Sequence, residues 1–321
     1  VAKWKGVKLR FIPITEDYRL DMDKAKEMIT SKTKIAIVVS SPMTAHAFLS
    51  DQIKKLANFY DVTVIANLSS KKYLLDELSK FANIKNISIK KDIDLFGDLK
   101  ALLLLMVFFY RERFILVHSV TPKAGLLTML SSWIIRVPVR LHTFTGQVWA
   151  TKKGLIRFIL RSLDKVIHIL STQTIVDSPS QLKYLESNNV ISKSRAIVFG
   201  KGSISGVDFK RFKFDSQIRE KIRLKLGINE STFVLLFLGR LKKDKGILEL
   251  IKAFSIIHQE YNNSILWCVG PDEDDLQKKL ELIEGVKIFS YTETPEDYMI
   301  AADLFCIPSY REGFGNVVIE A

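Results

Sequence analysis

The sequence predicts an α/β protein built as two doubly wound domains in tandem. Three observations carry that expectation. Short runs that are apolar on both faces alternate with segments of helical period, the pattern of a parallel sheet covered on both sides. A glycine-punctuated stretch, GKGSISGVDFKRF (200–212), interrupts the alternation. Beyond it the alternation starts again, and 321 residues suffice for two cores.

In the first domain, 34–209, the strands read as KIAIVVSS (34–41), VTVIANL (62–68), FILVHSV (114–120), VRLHTF (139–144), TQTIVDS (172–178) and AIVFG (196–200). Between them Leu49, Ile53, Leu56 and Tyr60 fall on one helical stripe, and the stretch from Lys153 to about Leu170 carries an apolar face. ALLLLMVFFY (101–110) is too short to span a bilayer. It fits a core helix or a helix lying on a membrane surface. In the second domain, 210–321, TFVLLFLGR (232–240), SILWCVG (264–270), VKIFS (286–290) and LFCIPS (304–309) read as strands. GILELIKAFSIIHQE (246–260), DEDDLQKKLELI (272–283, acidic in its first turn) and PEDYMIAAD (295–303) read as helices.

Lys+Arg number 48 against Asp+Glu 35, a formal net charge of +13 that suits an anionic partner. The basic residues come in scattered pairs, with no long basic arm. That argues against specific nucleic-acid binding and leaves a membrane surface or a phosphate-bearing ligand. Cys268 and Cys306 sit in strand-like runs and read as small core residues in a reducing compartment.

Two stretches carry chemistry. In FLGRLKKDKG (237–246) a strand ends at Gly239, leaving Arg240 and Lys245 on the loop before the next helix. Ligands of open parallel sheets bind at the carboxyl ends of strands, and helix N-termini favour anions. A guanidinium fork and a mobile ammonium together suit a diphosphate. A solvated basic loop would look the same. In EGFGNVVIEA (312–321) the glycines let backbone approach a ligand closely, while Glu312 and Glu320 can address different parts of it. Carboxylates accept hydrogen bonds from hydroxyls, so a polyhydroxylated partner fits. A helix-capping Glu plus an exposed Glu is the alternative.

Taken together, G-R-x(4)-K-G followed by E-G-F-G-x(4)-E resembles the retaining family-4 glycosyltransferases, of the bacterial surface-polysaccharide type. HTFTGQVW (142–149), DSPSQLKYL (177–185) and GSISGVDFKRF (202–212) agree, and the likeness covers about residues 34–321. It implies the GT-B fold: two Rossmann-like domains facing a cleft, here with an incomplete carboxyl domain. It also implies that Arg240 and Lys245 hold the diphosphate of a nucleotide-sugar, that Glu312 contacts the donor sugar, and that Phe314 and Gly315 offer backbone amides. Glu320 would bind the ribose hydroxyls. His142, read as ending a strand at the cleft, matches a histidine that contacts the transferred sugar, and His118 is a weaker candidate. His46 stands in a first strand-to-helix loop that lacks the glycine-rich turn of many relatives. His168 and His258 read as packing or surface residues.

The implied reaction moves a sugar, with retention, from a donor expected to be a uridine diphosphate sugar to a lipid-linked saccharide. Fixed cations and amides would stabilise the leaving diphosphate. No cofactor and no obligatory metal are expected, since no D-x-D stands in the motif region. The implied location is cytoplasmic, peripheral at the inner face of the cell membrane. A sugar-nucleotide epimerase sharing the fold and a basic nucleic-acid-binding module are the alternatives. Residues 1–33 resemble a segment of the pyridoxal-phosphate cysteine desulfurases without the cofactor lysine or catalytic cysteine. They are expected to be extraneous, with the transferase starting near Lys34 and stopping short after Ala321.

Overall fold

The structure, a computed structural model, describes residues 33–321 apart from 70, 71, 91, 93 and 311. The expectations for the amino-terminal extension therefore fall outside the described residues, save at Thr33. The chain forms two compact units, the first ending at Ser205 and the second starting at Gly206.

Among the described residues the first unit holds seven parallel strands: β1 (Lys34–Val38), β2 (Asp61–Ala66), β3 (Asn83–Asn86), β4 (Leu116–Val120), β5 (Val139–Phe144), β6 (Gln173–Val176) and β7 (Ala196–Ile197). Their order is β3-β2-β1-β4-β5-β6-β7. Alternate residues of β1 feed two cores. Ile35 and Ile37 pack with Leu49, Ile53 of α1 (Ser50–Leu56) and the β2 valines. Ala36 and Val38 face the other layer. That layer contains α2 (Leu95–Glu112), α3 (Pro122–Ile134), α4 (Gly154–Leu170) and α5 (Pro179–Ser187), which contribute Leu105, Leu127, Ile167 and Leu185. Strand β3 was not legible in the sequence, because NIKN is an edge strand with three exposed polar residues and no apolar run.

The stretch 101–110 forms a helix that is buried on one side only. Ala101, Leu105 and Phe109 of α2 are buried, while Phe96, Leu99, Leu103, Val107 and Tyr110 stand open on its far side. Helix α4 is built likewise: Asp164, Ile167 and His168 point inward, and Leu155, Phe158, Ile159, Val166 and Ile169 point out. Inside α4, the Asp164 carboxylate accepts the indole N–H of Trp149 at 2.8 Å, and Trp149 stacks on Tyr184. The HTFTGQVW segment is thus partly a core anchor.

The second unit has β8 (Phe233–Leu238), β9 (Ser264–Val269), β10 (Val286–Phe289) and β11 (Leu304–Phe305), parallel in the order β10-β9-β8-β11. Its helices include α6 (Ser216–Lys225), α7 (Ile247–Glu260), α8 (Pro295–Ala301) and α9 (Asn316–Glu320). Two expectations need correction. The strand expected over 304–309 pairs only at Leu304 and Phe305. The helix expected over 272–283 is confined to Gln277–Leu280. The Asp272 carboxylate accepts the amides of Asp274, Leu276 and Gln277, and that turn competes with the helix. Residues 272–275 are therefore an acidic loop.

Arg223 of α6, 1% exposed, stitches this unit together. Its guanidinium donates to the carbonyls of Ala301, Asn229 and Thr232 and pairs with Asp303 at 3.4 Å. Burial alone would raise the Asp303 carboxyl. The Val234 amide and the Arg219 guanidinium outweigh it and hold the group below the usual range.

Burial pushes the Asp164 carboxyl up to about 7, against the pull of the Trp149 bond. Between the ordinary 3.8 and about 7, the folded chain keeps a proton that the unfolded chain has released. Stability contributed by this group therefore falls as pH rises through that window. Asp164→Asn removes the dependence. Relative to wild type, the variant should gain stability from about pH 4 to about pH 7 in urea unfolding. Parallel pH profiles would contradict the burial argument.

Candidate functional site

The chain runs from β8 to β9 to β10 on one side, then returns to place β11 on the other side of β8. The strand order thus reverses between β8 and β11, and such a reversal opens a crevice at the strands' carboxyl ends. GRLKKDKG leaves β8 there, and the segment leading to EGFGN leaves β11. Topology alone brings the two sequence motifs together.

Contacts lock them. Gly246 adopts φ +70°, and any Cβ there would collide with the carbonyl oxygen of Pro308. No other residue allows both the left-handed backbone and the close approach. The Tyr310 amide donates to the Asp244 carbonyl at 3.1 Å. Lys245 Nζ then meets Glu312 Oε1 at 2.6 Å. Asp244 Oδ1 and Ser309 Oγ, in these same loops, are shielded from solvent without a hydrogen-bond partner. Orphaned buried polar atoms are uncommon in folded proteins.

Arg240 Nη1 pairs with Glu273 Oε2 at 2.8 Å, and Lys242 reaches the same oxygen at 3.4 Å. Phe314 and Gly315 lead into α9, with Gly315 at φ +77°. Glu320 lies at the far end of α9, half-buried, and burial raises its carboxyl above the ordinary value. Arg211 pulls the other way and Glu296 adds to the rise. Arg211 itself pairs with Glu296 at 2.8 Å. Arg240, Lys245, Glu312, Phe314, Gly315 and Glu320 therefore all belong to the second unit's carboxyl edge. Sequence reasoning missed Glu273 and Arg211. The first was assigned to a helix, and the second sits in a linker with no periodic signal.

In the first unit the strand order reverses between β1 and β4. There Ser40 Oγ lies 3.1 Å from Thr121 Oγ1, and Thr121 carries an unusual φ of 82°. His142 does not end its strand. It lies within β5, 1% exposed, with Nδ1 at 2.9 Å from Ser119 Oγ. Its ring occupies the space left by the absent side chain of Gly125 in α3. Burial, with His118 nearby, pushes its pKa down to about 3. The period of the strand turns residue 142 toward the helix layer, and only after Phe144 does the chain leave the sheet. His118 bonds Thr143 at 2.7 Å, and burial lowers its pKa to about 4. His46 bonds the Leu74 carbonyl. His168 is buried between Thr174 and Ser192, while His258 contacts Ser264.

Residues 218–321 match the family described as glycosyl transferases group 1. The capsular polysaccharide biosynthesis glycosyltransferase CapM of Staphylococcus aureus is 35% identical over 242 residues, covering 73% of this chain and 63% of that protein. An Escherichia coli UDP-Gal:alpha-D-GlcNAc-diphosphoundecaprenol alpha-1,3-galactosyltransferase is 25% identical over 245 residues, covering 72% of this chain and 61% of that one. The chain thus spans less than two thirds of either relative's length. The Anabaena protein HepE, crystallised in complex with UDP-glucose, superposes with a TM-score of 0.72 at 21% identity, over 90% of this chain and 77% of that one. Residues 218–321 thus resemble the glycosyl transferases group 1 family, and the chain's two Rossmann-like units share the fold of the GT-B glycosyltransferases.

Proposed function

We propose that this chain belongs to a retaining glycosyltransferase of surface-polysaccharide assembly, moving a sugar from a uridine diphosphate donor to a lipid-linked saccharide. The observation that carries this reading is the interlock of the two motif loops, with Lys245 and Glu312 in contact at the β8/β11 switch point. Two relatives support the choice of substrate class: a capsular transferase, and one named for UDP-Gal and a diphosphoundecaprenol-linked sugar.

As the glycosidic bond breaks, negative charge accumulates on the departing diphosphate. In this reading Arg240 and Lys245 stabilise that charge and no metal is required. Glu312, fixed by Lys245, contacts the donor sugar, and Glu320 takes the ribose hydroxyls. The amides of Phe314 and Gly315 complete the cradle. His142 does not touch substrate in this reading; it braces β4 against β5 and α3. An epimerase would use the same donor contacts but would need no acceptor. Sugar transfer to a lipid-linked acceptor separates the two. A nucleic-acid module would leave the interlocked loops without a task.

The acceptor's lipid implies work at a membrane, on its cytoplasmic face. Among the described residues, no helix is long and apolar enough to cross one. The open faces of α2 and α4 offer another mode of contact. Apolar side chains face outward, and Arg161 and Lys165 lie along one flank of α4. Each such cation contributes about 1 kcal/mol near an anionic leaflet.

Arg240→Ala or Lys245→Ala should cost about 2–4 kcal/mol of transition-state stabilisation, read as turnover of a UDP-sugar. Glu312→Gln should lower turnover more than UDP affinity, and Glu320→Gln the reverse. Equal binding losses in both glutamate variants would refute the division of roles. Separately, the chain should float with vesicles rich in phosphatidylglycerol. Phe158→Glu and Ile159→Glu should release it, and so should high salt. Flotation indifferent to both changes would remove α4 from the membrane contact.

A further inference from the structure

Glu273 lies on the acidic loop 272–275, at the end of β9, and the donor contacts proposed above do not use it. One of its oxygens, Oε2, receives Arg240 at 2.8 Å and Lys242 at 3.4 Å. Two cations converging on one anionic oxygen is the arrangement a phosphate oxygen would take. The backbone holds this acid in place. The Leu241 amide donates to Pro271, the Glu273 amide donates to Leu241, and the Lys243 amide donates to Asp274 Oδ2 at 3.0 Å. The bonds to Asp272 fasten the other end of the loop. Glu273 is therefore tethered beside the guanidinium and cannot drift from it.

We propose that Glu273 is a built-in competitor of the donor's diphosphate for Arg240, and so sets how tightly nucleotide is held and how fast it leaves. The inference rests on Arg240 being a diphosphate ligand, as in the function proposed above. Arg240 and Glu273 keep 38% and 28% of their side-chain surface exposed, so the pair between them is weak and exchangeable. A diphosphate carries more charge and takes the guanidinium from the carboxylate, but it binds against the repulsion of a fixed neighbour. When the nucleoside diphosphate departs, Glu273 recovers Arg240, which favours release over rebinding. Glu273 acts through Arg240 and is a positioning residue. A purely structural Glu273 would have the opposite sign, since its removal would loosen the loop and weaken binding.

The test is a calorimetric titration of UDP into the full chain as wild type, Glu273→Gln, Arg240→Ala and the double variant. Glu273→Gln should bind UDP about 3–10-fold more tightly, as expected from losing an exposed like-charge competitor. The gain should shrink at high salt and largely vanish in the Arg240→Ala background. With a UDP-sugar, both KM and kcat should fall as product release slows, and Glu273→Asp should restore wild-type behaviour. Unchanged or weaker UDP binding in a Glu273→Gln chain of normal thermal stability overturns the inference while leaving the proposed function standing. Failure of the wild type to bind UDP, GDP or ADP overturns both.

Discussion

With no side chain at Gly246, the loop after β8 comes to rest against the carbonyl of Pro308, on the segment that leaves β11. That approach sets the Asp244 carbonyl to accept the Tyr310 amide, and it sets Lys245 to reach Glu312. A parallel sheet brings two strand ends near one another but does not fix the loops beyond them. Here a backbone contact that only glycine permits does so. The residues proposed to bind diphosphate and sugar inherit their mutual geometry from it.

The chain carries a formal +13, yet the cations of the candidate site are not bare. Arg240 leans on Glu273, Lys245 on Glu312, and Arg211 on Glu296. These pairs are partly exposed, so each contributes little to stability and exchanges at low cost. Arg223, buried among carbonyls and Asp303, is the contrast: its bonds hold the domain together and offer nothing to a ligand. Burial separates the structural cations from the exchangeable ones.

The doubly wound fold was legible because the central strands β1, β2, β8 and β9 are apolar on both faces. Where that signal was missing, as in NIKN of β3, the strand could not be found. The acidic run 272–275 looked like a helix start because helices favour acids there, but the side-chain bonds of Asp272 hold it as a loop. The motif residues Arg240, Lys245, Glu312 and Glu320 were singled out by resemblance, and the structure puts them on the segments that follow β8 and β11. His142 was placed at a strand end, but two more residues of β5 follow it. Glu273 depends on a contact across 33 residues of sequence, which no spacing encodes.

Hydrogen exchange of backbone amides, with and without UDP, tests the central claim most directly. If the loops after β8 and β11 form one anion site, UDP should slow exchange in 239–246 and in 312–320 together, and leave the amides of β5 around His142 unchanged. Protection confined to one of the two loops, or appearing only in the first unit, would contradict the account.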